Sequence, residues 1–262
     1  VAPTLGGVIL GLTNNGFSAL YLAVSVAGVT AFVIAFFLLT EKNKSEIQTA
    51  DVRISARKMF QGWRQLVRNR AVLSVSFVQA SQYYAFGAAE FFIVGYAIDV
   101  ANLSGFYYGP ILSALTIAVI IARPAMGRFS DRRGRRLPIV TGSIIGALML
   151  LAIPFSTSFV LLFGLAVGFG LGFAFVVSST SPLMVELTSA GLVGSSMGFL
   201  STVMDVGQTL GPILSGIIGA FAVESVGQVN YAAIFISLSL LLITSSVVFA
   251  FSKAAKKKEM YY

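Results

Sequence analysis

Gly127-Arg128-Phe129-Ser130-Asp131-Arg132-Arg133-Gly134-Arg135-Arg136 places five arginines and one aspartate in ten positions. The run stands between two long apolar segments, at about 106–128 and 137–156. Charge concentrated where an apolar segment ends marks a boundary between hydrocarbon and water, and fixes the side of the bilayer on which the loop lies. Everything else in the chain can be placed outward from this boundary.

The chain around it is apolar. Of 262 residues, 56% are hydrophobic and 11% charged, and mean hydropathy is +0.88. A soluble globular domain carries about 25% charged residues, so this composition predicts an integral membrane protein. The net charge of +8 raises the question of nucleic acid, but the charges fall in short stretches between apolar segments of membrane-spanning length. No nucleic-acid partner is expected. The chain has neither cysteine nor histidine, which removes disulfides, thiol chemistry and the usual zinc ligands. No metal site is expected. No basic stretch followed by a short apolar core opens the chain, so no cleaved signal peptide is expected either.

Apolar segments fall at about 1–13, 17–40, 71–98, 106–128, 137–156, 159–186, 192–221 and 231–252. Seven are long enough to cross a bilayer, and they lack the alternation of a membrane barrel, so helices are predicted. The first is read as the second half of a helix. Of the 18 Lys and Arg, eight lie in or beside 41–70, six in 123–136 and four in 253–258. The intervening connections carry none, so one side of the membrane holds every positive residue. That side is read as cytoplasmic.

The domain reading follows. Residues 1–40 end one group of helices, 41–70 form a cytoplasmic linker, 71–252 hold six spans, and 253–262 form a basic tail. Within the linker, Ala56, Met59, Phe60, Trp63, Leu66 and Val67 share one helical face opposite Arg57, Lys58, Arg64 and Arg68. This predicts an amphipathic helix on the membrane surface with Trp63 as interfacial anchor, or an extension of the next span. The segment from Ala2 to Gly7 (Ala-Pro-Thr-Leu-Gly-Gly) has a counterpart from Gly211 to Gly216 (Gly-Pro-Ile-Leu-Ser-Gly), the pattern of a parallel internal repeat.

Six spans after a long basic linker, with Gly127, Phe129, Asp131, Arg132, Gly134, Arg135 and Arg136 between the second and third, resemble the major facilitator superfamily. The resemblance covers the whole chain. It implies an all-α membrane bundle running from the middle of the family's helix five to its helix twelve: the C-terminal six-helix half plus the last part of the N-terminal half. Helices one to four would then be a partner supplied by the rest of the transporter. Pro3, Gly6 and Gly7 are similar to the end of the antiporter motif of drug–proton exchangers, with Ala2 in place of the usual glycine. The resemblance implies that Gly127, Asp131, Arg132, Gly134, Arg135 and Arg136 form a cytoplasmic latch. Asp131 would face the start of helix five, and Arg135 would pair with Glu186.

Acids within the spans are few, and intramembrane ionisable groups default to functional candidates. Gln79, Tyr83, Phe86 and Glu90 step by four, three and four along one helix face, as do Ser201, Asp205, Gln208 and Pro212 along another. Rings beside amides and an acid suit amphipathic or cationic molecules. Glu90, Asp205, Gln79, Tyr83, Phe86 and Gln208 are therefore the candidate proton or substrate site, with helix packing as the competing role for Tyr83 and Phe86 and a structural hydrogen bond for Asp205. Gly164, Gly168 and Gly172, Gly194 and Gly198, and Gly207 and Gly211 recur every four residues, a spacing that lets helices approach closely. Ser178 to Ser181 are expected to bond backbone freed by Pro182.

The expected function is proton-coupled export of small amphipathic molecules across the plasma (inner) membrane, with a small-molecule substrate, the lipid bilayer as surroundings, no cofactor and a proton gradient as energy source. A sugar, organic-acid or other metabolite carrier is the alternative within the class. A non-transporting receptor, a membrane enzyme or an inactive fragment is the alternative outside it. Catalytic residues are not expected: the chain has no histidine and no G-x-S-x-G.

Overall fold

A computed structural model describes residues 17–38, 56–103, 105–221 and 229–252. Eight α-helices follow in order: α1 (Phe17–Leu38), α2 (Ala56–Arg68), α3 (Arg70–Asp99), α4 (Gly105–Arg133), α5 (Arg136–Ala152), α6 (Phe159–Glu186), α7 (Val193–Phe221) and α8 (Tyr231–Phe251). Every regular element among the described residues is helical, the fold class the composition predicts. Pro3, Gly6 and Gly7, most of the linker and the basic tail lie outside the described residues.

Length and composition alone qualify Gly109–Arg133, Arg136–Phe155, Phe159–Glu186 and Tyr231–Phe251 to cross a membrane. Helices α3 and α7 are as long, with 30 and 29 residues, but richer in polar groups. On α3 much of that polarity is buried between helices rather than turned to lipid, including Gln79, Ser81 and Gln82. Large apolar side chains such as Ile121 and Phe221 remain exposed, as a lipid-facing surface requires.

Helices α3 to α8 form one bundle, in which α3–α7, α4–α6 and α5–α6 are the most extensive pairs. Glycine sets the approach in all three. A Cβ added at Gly211 would fall 2.3 Å from the Tyr84 carbonyl oxygen, and one at Gly207 2.5 Å from that of Ala80. A Cβ at Gly170 would fall 2.5 Å from the Leu115 carbonyl oxygen, and one at Gly172 2.7 Å from that of Gly142. Apolar burial gives little drive between helices in lipid, so close backbone packing of this kind carries the association. Gly168 abuts only the flexible Met149 side chain, and Gly164, Gly194 and Gly198 meet nothing within 4 Å. For those three, the expected packing role is not what the structure shows.

Two features of the basic end differ from expectation. Helix α2 is separated from α3 by a single residue, Asn69, whose side chain accepts from the Ala71 N–H at 3.0 Å and caps α3. Its apolar face also meets protein. Trp63 stacks edge-on against Phe199 of α7 with ring centroids 5.6 Å apart, and Leu66 is buried with Val72, Val75, Leu183 and Leu200. An amphipathic pattern specifies an apolar cover, and here the bundle supplies part of it. At the opposite end, the Tyr231 hydroxyl donates to Asp99, joining α8 to α3. Tyr96 donates to the Pro154 carbonyl at 3.0 Å.

Candidate functional site

The arginine-rich run is mostly helical. Helix α4 continues to Arg133, and the reversal occupies only Gly134 and Arg135 before α5 begins. Gly134 has φ 88°, a left-handed conformation that glycine adopts without the steric cost a side chain imposes. That turn returns Arg135 onto the end of α4. Its Nη1 lies 2.5 Å from Asp131 Oδ1 and 3.2 Å from Ser130 Oγ, and its Nε donates to Glu186 Oε1 at 3.1 Å. One guanidinium thus ties the end of α4 and the start of α5 to the last residue of α6.

The expected Arg135–Glu186 pair is present, while Asp131 is engaged by Arg135 within its own loop. Asp131 keeps 62% of its side chain exposed. Arg136 donates to the Ala250 carbonyl at 3.4 Å, a cation at the C-terminal end of α8 where the helix dipole favours it. Arg132 is exposed. Gly127 has open space around its Cα.

The six membrane-depth candidates do not form one cluster. Gln79 is buried between helices, its Oε1 accepting from Thr180 Oγ1 while Nε2 approaches Met204 Sδ at 3.8 Å. Tyr83 and Phe86 pack on Phe173 of α6, with centroids 5.0 and 4.5 Å apart. Glu90 lies seven positions beyond Tyr83, ~10 Å further along the axis at 1.5 Å per residue. Gln208 is exposed, and its carbonyl oxygen sits against Gly87, so this residue contributes to the α3–α7 approach. Pro212 lies within α7 without ending it. Ser179 and Thr180 bond to Phe175 and Val176, and Ser178 to Arg123, so none of the three takes the expected carbonyl opposite Pro182.

Asp205 does have charged company. Arg123 of α4 and Asp205 of α7 both lie near enough to the Tyr83 hydroxyl of α3 to act on it electrostatically. Tyr83 is thirteen positions into α3 from Arg70, Arg123 ten positions before Arg133, and Asp205 twelve positions after Val193. At 1.5 Å per residue all three stand ~15–20 Å along their helices from those ends, inside helices of membrane-spanning length. The Arg123 and Asp205 side chains are exposed in the described structure. Neither takes part in an ion pair among the described residues.

The sequence reading grouped Arg123 with the boundary charges and passed over Gln82. The Gln82 amide donates to Ser143 Oγ at 3.0 Å while its own oxygen is buried without a partner. For Gln82 the signal is spacing, one turn from Gln79; for Arg123, four positions before Gly127, the sequence offers none.

Together these features define a multi-pass, all-helical membrane protein with a charge-strapped end and a polar set at mid-depth. The model of the Major Facilitator Superfamily matches residues 1–212 and 102–260, and the chain belongs to that family of transporters. It is 23% identical to the Staphyloferrin B transporter of Staphylococcus aureus (strain NCTC 8325 / PS 47), over 94% of this chain and 59% of that protein. Multidrug resistance protein MdtG of Klebsiella pneumoniae (strain 342) is 25% identical, over 90% of this chain and 60% of that protein. Tetracycline resistance protein, class H, of Pasteurella multocida is 32% identical, over 55% of this chain and 34% of that protein. The chain therefore spans less than two thirds of the length of each of these relatives.

Proposed function

We propose that the chain forms part of a secondary active transporter that exports small amphipathic molecules in exchange for protons. The observation that carries this reading is the mid-depth set of Tyr83, Arg123 and Asp205 on three different helices. The Asp205 carboxylate is the proposed meeting point of a cationic or polarised solute and the exchanged proton. Binding of one excludes the other, which is the requirement for exchange. Arg123, near the same tyrosine, sets the field in which that choice is made. No bound cofactor is needed, since the proton gradient supplies the energy.

In this reading α3 to α8 are the C-terminal half, and 1–40 end a companion half whose first four helices complete the cavity. The two halves rock about the site, and the loop around Arg135 latches the cytoplasmic face. The linker 41–70 and tail 253–262 lie in the cytoplasm and the bundle in the plasma (inner) membrane, as the distribution of Lys and Arg supports. Export is favoured by relatives named for multidrug and tetracycline resistance. A metabolite carrier is the second reading, favoured by the staphyloferrin B transporter, which matches across 94% of this chain.

The test is flux through the full-length transporter in proteoliposomes, with and without an imposed pH gradient, using tetracycline and a lipophilic cation as probes. Asp205→Asn is expected to lower gradient-driven flux on the order of a hundredfold, the lower end for removing a proton-transfer group, while Glu90→Gln leaves most of it. Gradient-driven flux unchanged in Asp205→Asn would sink the assignment.

A further inference from the structure

Two clefts open on the flank formed by α3, α7 and α8, and Phe77 bounds both. The one at the basic end has a volume of about 530 Å³ and lies among Arg70, Ser74, Val248 and Ser252. The other, about 550 Å³, continues past Ser81 and Tyr84 between Val206, Leu210 and Leu241. On α3 the lining positions 70, 74, 77, 81 and 84 step by four, three, four and three, the spacing of one helix face. The two clefts are thus neighbours along one face of α3, with Phe77 on the boundary of both. From Arg70 to Tyr84 that face runs ~21 Å at 1.5 Å per residue, about two thirds of a hydrocarbon core ~30 Å thick.

The walls suit hydrocarbon. Most hydroxyls along the groove bond their own bundle: Ser74 the Ala71 carbonyl at 2.8 Å, Thr202 that of Gly198 at 3.0 Å, Ser237 that of Ile234 at 2.7 Å and Ser252 that of Phe249 at 2.7 Å. The Tyr84 hydroxyl accepts from Ser215 at 3.2 Å. The mouth suits an anion. Arg70 is exposed and belongs to neither salt bridge among the described residues. No acid occurs from 52 to 89 or from 231 to 252, so the lining stretches of α3 and α8 offer it no carboxylate.

We infer that this groove is a site for an anionic phospholipid, with its phosphate on Arg70 and an acyl chain laid past Phe77 toward Leu241. The inference rests on the membrane-spanning fold and on Arg70 standing at a bilayer boundary. It does not depend on what the transporter carries or on proton coupling. Free phosphate satisfies the mouth but leaves the apolar length empty, which is why the lipid is the occupant.

The experiment offers phosphatidylglycerol and phosphatidylcholine of matched chains, in equal amounts, to full-length transporter in mild detergent, with retained lipid counted by native mass spectrometry. Phosphatidylglycerol is expected to be retained in about fivefold preference, the size expected of one Arg facing anionic lipid. Arg70→Gln should abolish the preference and Arg70→Lys keep it. Arg68→Gln, an exposed cation outside the groove, should leave it intact. Leu241→Trp should reduce retention of both lipids by obstructing the chain, and Leu210→Trp narrows the same groove from α7 if the first variant does not fold.

Equal retention of the two lipids by the unsubstituted protein would overturn the inference. So would a preference that survives Arg70→Gln or falls equally in Arg68→Gln. Retention undiminished by either tryptophan, or displacement of the lipid by excess inorganic phosphate, would show a headgroup held without its chain and would overturn it as well. None of these outcomes bears on the Asp205 flux test.

Discussion

Arginine meets carboxylate in two parts of this molecule, with opposite geometry. At the basic end Arg135 touches Asp131 and Glu186 at 2.5 and 3.1 Å, and both carboxylates remain more than half exposed. Away from that end Arg123 and Asp205 both lie near the Tyr83 hydroxyl, and neither takes part in an ion pair among the described residues. Exposed pairs gain little net energy from their attraction, so the first arrangement matters chiefly for the three helix ends it brings together. Charges at membrane depth are costly, and holding two of opposite sign without direct pairing leaves each able to exchange partners. The first region is a strap. The second keeps charge available.

The largest expected effect separates the two by their supports. The helices that carry Tyr83 and Asp205, α3 and α7, approach closely at glycine, whereas the strap depends on α4, α5 and α6. Gly211→Leu places a side chain 2.3 Å from the Tyr84 carbonyl oxygen, and backbone cannot swing aside as a side chain would. The expected cost is about 3 kcal/mol, the upper end for overpacking, read as a lowered unfolding temperature in detergent together with loss of flux. The chain lacks cysteine, so Arg135→Cys with Glu186→Cys reports the strap by cross-linking in the same background. Cross-linking that fails along with flux would show that the two regions are not mechanically separate.

How far the sequence could be read differs between the two regions for a physical reason. The strap is encoded locally: a glycine able to turn left-handed, cations on both sides of it, and an acid at the end of a later span that the family resemblance pairs with Arg135. The mid-depth set depends on how helices are rotated and where they stop. Arg123 precedes Pro124 and lies four positions before Gly127, which reads as the end of a span. Helix α4 instead passes through Pro124 and continues to Arg133, which puts Arg123 well inside the helix. Gln79 shares a face with Tyr83 in sequence, yet the rotation of α3 buries it against Thr180 and Met204. Trp63 makes a related point, since an apolar helix face does not say whether lipid or protein will cover it.

A smaller effect is expected at the turn on which the strap depends. Gly134→Ala forces a side chain into φ 88°, at about 1–2 kcal/mol for a left-handed residue. Unfolding temperature should fall modestly, while a mid-depth readout such as the Asp205-dependent flux retains its pH response at reduced amplitude. Gly127→Ala is the internal control: its surroundings are open, so it should change stability little. Equal destabilisation by the two substitutions would mean that the turn geometry is not what matters at Gly134.

The smallest effect is also the sharpest test of the strap as a specific contact. In a double-mutant cycle of Arg135→Ala and Glu186→Ala, the coupling energy should be about 0.5–1 kcal/mol, the upper range for a pair with one exposed partner. Each single substitution leaves a different residue behind. Without Glu186, Arg135 still holds Asp131 and Ser130; without Arg135, two carboxylates lose their only ion pair among the described residues. The Arg135 substitution should therefore cost more than the Glu186 one. The asymmetry should shrink in high salt, because the stranded carboxylates are exposed enough to be screened. Equal single costs with no coupling would reduce the cationic run to a marker of membrane side.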